Sequence, residues 1–145
     1  HGNGTQAAFE CDPSLLYIST HQWPLYPGTG RASEQGLGNI YNRCLPPGAG
    51  SEEFRAVMSD AVIPALEQFR PDFIFISAGF DAHIADPLAN LRLTEADFGW
   101  ATEELVKAAD RLCRGRVVSA LEGGYDLEAL AASARAHVRA LMLTA

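Results

Sequence analysis

Two turns carry the residues best able to do chemistry: Ser77-Ala78-Gly79-Phe80-Asp81-Ala82-His83 and Leu121-Glu122-Gly123-Gly124-Tyr125-Asp126. Each follows a short apolar run, Phe73 to Ile76 and Val117 to Leu121, that reads as a buried parallel strand. In open α/β sheets, ligands collect outside the carboxyl ends of strands. The Asp81 carboxylate could therefore coordinate a divalent cation facing those ends; its plainer reading is a surface aspartate closing a turn. The Tyr125 phenol could donate a hydrogen bond to a carbonyl oxygen as negative charge builds on it, a contribution of ~3 kcal/mol or more. Its plainer reading is a tyrosine packed under a glycine turn, its hydroxyl bonded to water. Gly123 and Gly124 would let a substrate approach the backbone closely. Asp86-Pro87 reads as a turn-initiating pair, and His1-Gly2-Asn3-Gly4 as the tail of a third turn.

Other chemistries find no support. Neither a G-x-G-x-x-G nor a P-loop pattern occurs. His21, His83 and His137 have no ligand spacing, and His137 reads as a structural or solvated helix residue. There is no Gly-x-Ser-x-Gly elbow and no cysteine in an activating context.

Alternating strands and helices must position the two turns. Residues 14–19 and 38–45 read as strands flanking a Gly- and Pro-rich segment, His21 to Leu37, whose length and aromatic content suggest a functional loop. Ser51 opens a helix with Glu52 and Glu53 in its first turn. Phe54, Val57, Met58, Val62, Leu66 and Phe69 give that helix an apolar face, and Pro64 is expected to kink or end it. Thr94-Glu95-Ala96-Asp97 has capping-box spacing, and the helix it opens should reach about Arg114 and stop at Gly115. A strand over 116–121 and a last helix capped by Asp126 complete an α/β chain with a parallel sheet flanked by helices.

The 145 residues suit one domain with a real core. A net charge of −7 argues against a broad grip on nucleic acid. Cys11, Cys44 and Cys113 are odd in number and scattered, a reduced pattern with neither a disulfide framework nor a thiolate zinc site. No apolar stretch approaches a membrane span, and no signal-like segment opens the chain, so the cytoplasm is the default location.

Taken together, the turns resemble the histone deacetylase superfamily, zinc amidohydrolases of arginase-like fold. His1-Gly2-Asn3-Gly4-Thr5-Gln6 is similar to the end of the D-x-D-x-H-H-G-N-G-T-Q block. Ser19-Thr20-His21 with Tyr26-Pro27-Gly28-Thr29-Gly30 resembles S-x-H…(F/Y)-P-G-T-G. Ser77 to His83 with Asp86-Pro87-Leu88 resembles S-A-G-F-D-A-H-x-x-D-P-L, and Leu121 to Tyr125 matches L-E-G-G-Y. The resemblance implies that residues 1–145 form the carboxyl-terminal part of an arginase/deacetylase-like fold. It implies that Asp81 is the carboxylate ligand of a catalytic zinc and that Tyr125 polarises the acetamide carbonyl. Tyr26 and Leu88 would line the tunnel for an acyl-lysine-like chain. Ser19 and Thr20 would hold one structural potassium or sodium ion, and Phe9, Asp12, Leu15 and Tyr41 a second.

Two further zinc ligands and a pair of adjacent histidines, which the family places upstream, are not among these residues. A catalytic zinc needs three protein ligands and a water. The expectation is therefore a deacetylase of acetylated lysine-like amines that needs an amino-terminal segment or another chain, the sequence at hand being inactive alone. The alternatives are an acetylpolyamine amidohydrolase and an inactive deacetylase-like module serving binding or assembly. An unpaired strand edge and exposed apolar surface are expected too.

Overall fold

Phe54, Met58, Val62 and Leu66 recur on one side of the stretch 51–69, and that side is buried in one cluster with Ile74, Phe98, Ala101, Ala108 and Cys113. A computed structural model describes residues 1–142. Its elements run α1 (Asn3–Phe9), β1 (Tyr17–Gln22), β2 (Ile40–Leu45), α2 (Ser51–Val57), a π-helical segment (Met58–Val62), α3 (Ile63–Phe69), β3 (Ile74–Ala78), α4 (Glu95–Cys113), β4 (Val117–Leu121) and α5 (Leu127–Met142). Among these residues no helix is long and apolar enough to cross a membrane.

The strands form two parallel pairs. β1 lies beside β2, from Tyr17 opposite Ile40 to Gln22 opposite Leu45. β3 lies beside β4, from Ile74 opposite Val117 to Ala78 opposite Leu121. The period-two alternation of side chains puts Ile74, Ile76 and Ala78 in or against the core. Phe75 and its register partner Val118 lie on the other face, and Phe75 is 68% exposed. The apolar surface expected from the sequence is thus the uncovered face of this pair.

α4 packs against α3 and α5. Asp97, in its first turn, is fully buried. Its carboxylate accepts the Thr94 backbone N–H at 3.0 Å, which is half of the predicted capping box, and the Thr94 hydroxyl at 3.1 Å. It also accepts the Ser51 hydroxyl at 2.6 Å and the Arg55 Nε–H at 2.9 Å. One carboxylate therefore ties the starts of α2 and α4 together. Burial pushes its pKa up, but the hydrogen bonds outweigh that and hold it below the ordinary value.

Several expectations need correction. Residues 3–9 are a helix, not the tail of a turn. β1 begins at Tyr17 rather than Ser14, because the Asp12 carboxylate bends the chain by accepting both the N–H and the hydroxyl of Ser14. β2 begins at Ile40 because Gly38 sits at φ +88° in a turn, its N–H donated to Gln35. β3 begins one residue later and runs two residues further than 73–76, since Ser77 and Ala78 still pair with Ala120 and Leu121. β4 starts at Val117 because Arg116 donates its N–H back to Cys113 to close α4. Pro64 interrupts the regular α-helix without stopping the helical run: α2 ends at Val57 and α3 begins at Ile63. The π-helical turn before it, in which Ile63 donates to Met58, re-registers the backbone at the residue lacking an N–H, and helix resumes to Phe69. Arg114 itself takes the left-handed conformation at the end of α4, at φ 56°, one residue before Gly115.

Candidate active site

The two turns singled out by their chemistry are stitched to one another at the carboxyl ends of β3 and β4. Phe80 donates its N–H to the Gly123 carbonyl at 2.8 Å, and Glu122 donates to Ala78 at 3.0 Å. These bonds continue the parallel ladder past the strand ends and press the Asp81 carboxylate against Gly123. A side chain at Gly123 would begin 2.9 Å from the Asp81 Cγ, and one at Gly79 would begin 3.0 Å from Oδ1. Gly124 is at φ +141°, and a Cβ there would meet Leu130 Cδ1 at 2.9 Å. The Cβ directions of these glycines are thus filled from within the protein, by Asp81 at Gly123 and by Leu130 at Gly124, which is a packing reason for glycine at both positions. Among the described residues the Asp81 carboxylate forms no hydrogen bond or ion pair, leaving its oxygens available to a ligand.

Asp86 holds this rim together. Its side chain is buried; one oxygen accepts the Leu88 N–H and the other the Tyr125 N–H, each at 2.9 Å. The turn-initiating role read from Asp86-Pro87 is only part of its work, since it anchors both candidate substrate-contacting residues. Leu88 and Tyr125 remain 62% and 56% exposed, with their side chains presented outward. Gln22, buried at the end of β1, accepts the Asn90 N–H at 2.7 Å and so joins the β1–β2 pair to the loop that carries Leu88. Tyr26 stands 91% exposed in the loop after β1.

A second cluster surrounds Ser19. His21, buried in β1, is bonded through Nε2 to the Gly30 carbonyl at 2.8 Å and through Nδ1 to the Ser19 hydroxyl at 2.9 Å. A carbonyl can only accept, so Nε2 carries the proton and Ser19 donates to Nδ1. The Ser19 oxygen then keeps its lone pairs. Burial holds the His21 pKa below the ordinary value. His1 stacks on His21 with ring centroids 4.8 Å apart and bonds Thr29 at 2.8 Å. Gln6 links α1 to this loop, donating to Glu34 at 2.7 Å and accepting from Asn42 at 2.9 Å.

The carbonyls of Phe9, Asp12 and Leu15 do converge, at 2.9, 2.9 and 3.1 Å from the side-chain nitrogen of Asn39. Tyr41 is two residues further along β2, opposite Ile18. Behind β4, His137 of α5 is buried between Thr102, 2.7 Å from Nδ1, and Ser119, 2.8 Å from Nε2. Thr102 donates its own hydrogen to the Phe98 carbonyl at 2.7 Å, so Nδ1 is the protonated nitrogen; the Ser119 hydroxyl, 2.8 Å from Nε2 and 3.3 Å from the Ile76 carbonyl, gives its hydrogen to the shorter contact, Nε2. The ring also packs edge-on to Phe80, centroids 5.8 Å apart, which makes His137 structural and places it directly behind the Asp81 turn.

The histone deacetylase domain model matches residues 1–141. The chain belongs to the histone deacetylase family. Among named relatives, histone deacetylase 14 of Arabidopsis thaliana is 44% identical over 98% of this chain, and a probable deacetylase of Archaeoglobus fulgidus is 45% identical over 88%. The chain spans 34% and 37% of those two proteins, about a third of their length. The crystal structure of the HDA15 HD domain superposes at a TM-score of 0.90 with 40% identity, covering all of this chain and 42% of that one. The histone deacetylase Clr3 gives a TM-score of 0.87 at 36% identity, over 97% of this chain and 25% of that one. The deacetylase-like α/β fold expected from the motifs is the fold observed. Among the described residues no group of three or more His, Cys, Asp or Glu comes together that could hold a metal ion. The unbonded Asp81 fits a zinc ligand, as one member of a larger set.

Proposed function

We propose that this chain forms part of a zinc-dependent deacetylase site that hydrolyses the acetyl amide of an acetyl-lysine-like amine, in concert with the rest of a longer catalytic domain. One observation carries this: an Asp81 carboxylate free of protein partners lies against Gly123, two residues before an exposed Tyr125 whose backbone is pinned by Asp86. Zinc, when bound, supplies a Lewis acid and lowers the pKa of a bound water; Asp81 would be one of its holders. The Tyr125 phenol donates a hydrogen bond to the substrate carbonyl oxygen as that oxygen takes on negative charge, and Asp86 fixes the backbone from which it does so. Leu88 and Tyr26 offer apolar walls to the alkyl chain of the substrate. The Ser19 oxygen, with its hydrogen committed to His21, and Thr20 would hold a structural monovalent cation.

The test is hydrolysis of an acetyl-lysine peptide by the complete polypeptide that carries this chain. Tyr125→Phe should lower kcat by about 10²-fold or more while KM changes little; unchanged turnover removes Tyr125 from the chemistry. Acetylspermidine as a parallel substrate separates a protein-type from a polyamine-type deacetylase. The lack of a three-ligand cluster among the described residues favours a second reading, a binding or assembly module, and a complete polypeptide that binds no zinc and cleaves neither substrate would establish it.

A further inference from the structure

Where α1 ends, three main-chain oxygens converge on a common centre; those of Phe9 and Asp12 also accept the N–H groups of Asp12 and Leu15, at 3.0 and 3.3 Å, and keep a second lone pair for that centre. Three carbonyl dipoles pointing at one place concentrate negative potential and demand a positive partner. The carbonyls of Phe9, Asp12 and Leu15 do so, and what lies 2.9, 2.9 and 3.1 Å from them is Nδ2 of Asn39. Asn39 is 5% exposed, so these contacts are shielded from water.

The orientation of the amide follows from its surroundings. Its oxygen accepts the Leu37 N–H at 3.1 Å. Exchanging oxygen and nitrogen would set an acceptor against three acceptors and a donor against a donor. The backbone of Asn39 is held as well, its carbonyl accepting the Tyr17 N–H at 2.9 Å where β1 and β2 begin. The amide therefore cannot swing out of the cage without breaking its bond to Leu37 and all three carbonyl contacts. An NH₂ has two hydrogens, so one is shared between two of the three oxygens, and the partial positive charge of the group does the work a cation would do.

The volume at the centre of the cage is thus taken by a side chain that belongs to the protein. A cation bound by the same three oxygens would need the place that Nδ2 occupies. We infer that Asn39 replaces the second structural monovalent cation implied by the family resemblance, so that the cage of Phe9, Asp12 and Leu15 is closed by an amide and binds no cation. The inference is independent of the substrate and of the proposed chemistry at Asp81 and Tyr125.

Thallium(I), a potassium mimic that scatters anomalously, tests it directly in crystals of the complete polypeptide. The expected map has no anomalous peak between the Phe9, Asp12 and Leu15 carbonyls, whatever it shows elsewhere; a peak there overturns the inference. Thermal unfolding gives an independent readout, comparing potassium chloride with choline chloride at equal ionic strength. Asn39→Ala empties the cage and Asn39→Asp puts a carboxylate beside it. Both should acquire a potassium-dependent rise in Tm larger than that of the unsubstituted protein. A rise no larger in either variant than in the unsubstituted protein contradicts the inference. If neither variant folds, the thallium map of the unsubstituted protein decides alone.

Discussion

Asp86 shows how one buried carboxylate can govern a site without touching a substrate. It accepts the N–H groups of both Leu88 and Tyr125, so its removal frees two rim segments at once. A misplacement on the scale of 1 Å can cost about 10²-fold in rate. We therefore expect Asp86→Ala to lower kcat on an acetyl-lysine peptide by about 10- to 100-fold, with zinc content unchanged. Asp86→Asn, which keeps one acceptor oxygen, should fall between it and the unsubstituted protein. A selective rise in KM would instead point to the Leu88 side alone. Nothing in the sequence near Asp86 announces its role, because Tyr125 is 39 residues away; an Asp-Pro pair has the same appearance whether it starts a turn or spans two loops. Asp81 and Tyr125 were legible because each sits in a glycine turn just past an apolar strand. Phe9, Asp12 and Leu15 entered only through the family resemblance, and Asn39 not at all, since a backbone oxygen leaves no trace in residue type.

At the level of elements, the strands and long helices were readable from period and caps, and the errors fall where local side-chain bonds override them. Asp12 and Asn39 delay β1 by three residues, and a π-turn absorbs Pro64. The capping aspartate Asp97 was visible from its spacing, but not its bonds to Ser51 and Arg55, 46 and 42 residues away. Those bonds make it the chief tie between α2 and α4. Asp97→Ala should destabilise the protein by about 3 kcal/mol, since it strands three donors and breaks a part-buried ion pair; chemical denaturation measures it. His137, joining α5 to α4 and β4, gives a pH dependence. Burial holds its folded pKa below the ordinary 6.5, and His21 is shifted the same way. The unfolded chain therefore binds more protons as the pH falls, so both contributions are intact above pH 6.5 and are lost as the pH drops from there through the folded values. His137→Gln should flatten the fall in stability across that window, and an unchanged slope would remove His137 from the cause.

On the scale of the whole molecule, the chain holds one candidate zinc ligand and one candidate oxyanion donor on a common rim, and spans about a third of the relatives named above. The uncovered face of β3 and β4, with Phe75 and Val118 on it, agrees with a unit that continues into further structure. The sequence made the family legible through four short blocks, two of them the turns after β3 and β4 that carry the candidate chemistry. It could not show how those blocks are fastened, because Gln22, Asn39 and Asp86 act through bonds to distant backbone and Gln6 through the distant side chains of Glu34 and Asn42. The most direct measurement is the zinc content of the complete polypeptide and of its Asp81→Ala variant, with folding checked by circular dichroism. The expected result is one zinc per chain in the parent, and a folded variant that has lost both the zinc and acetyl-lysine hydrolysis. A folded Asp81→Ala protein that keeps its zinc and its turnover would show that the carboxylate beside Gly123 is not where the chemistry is held.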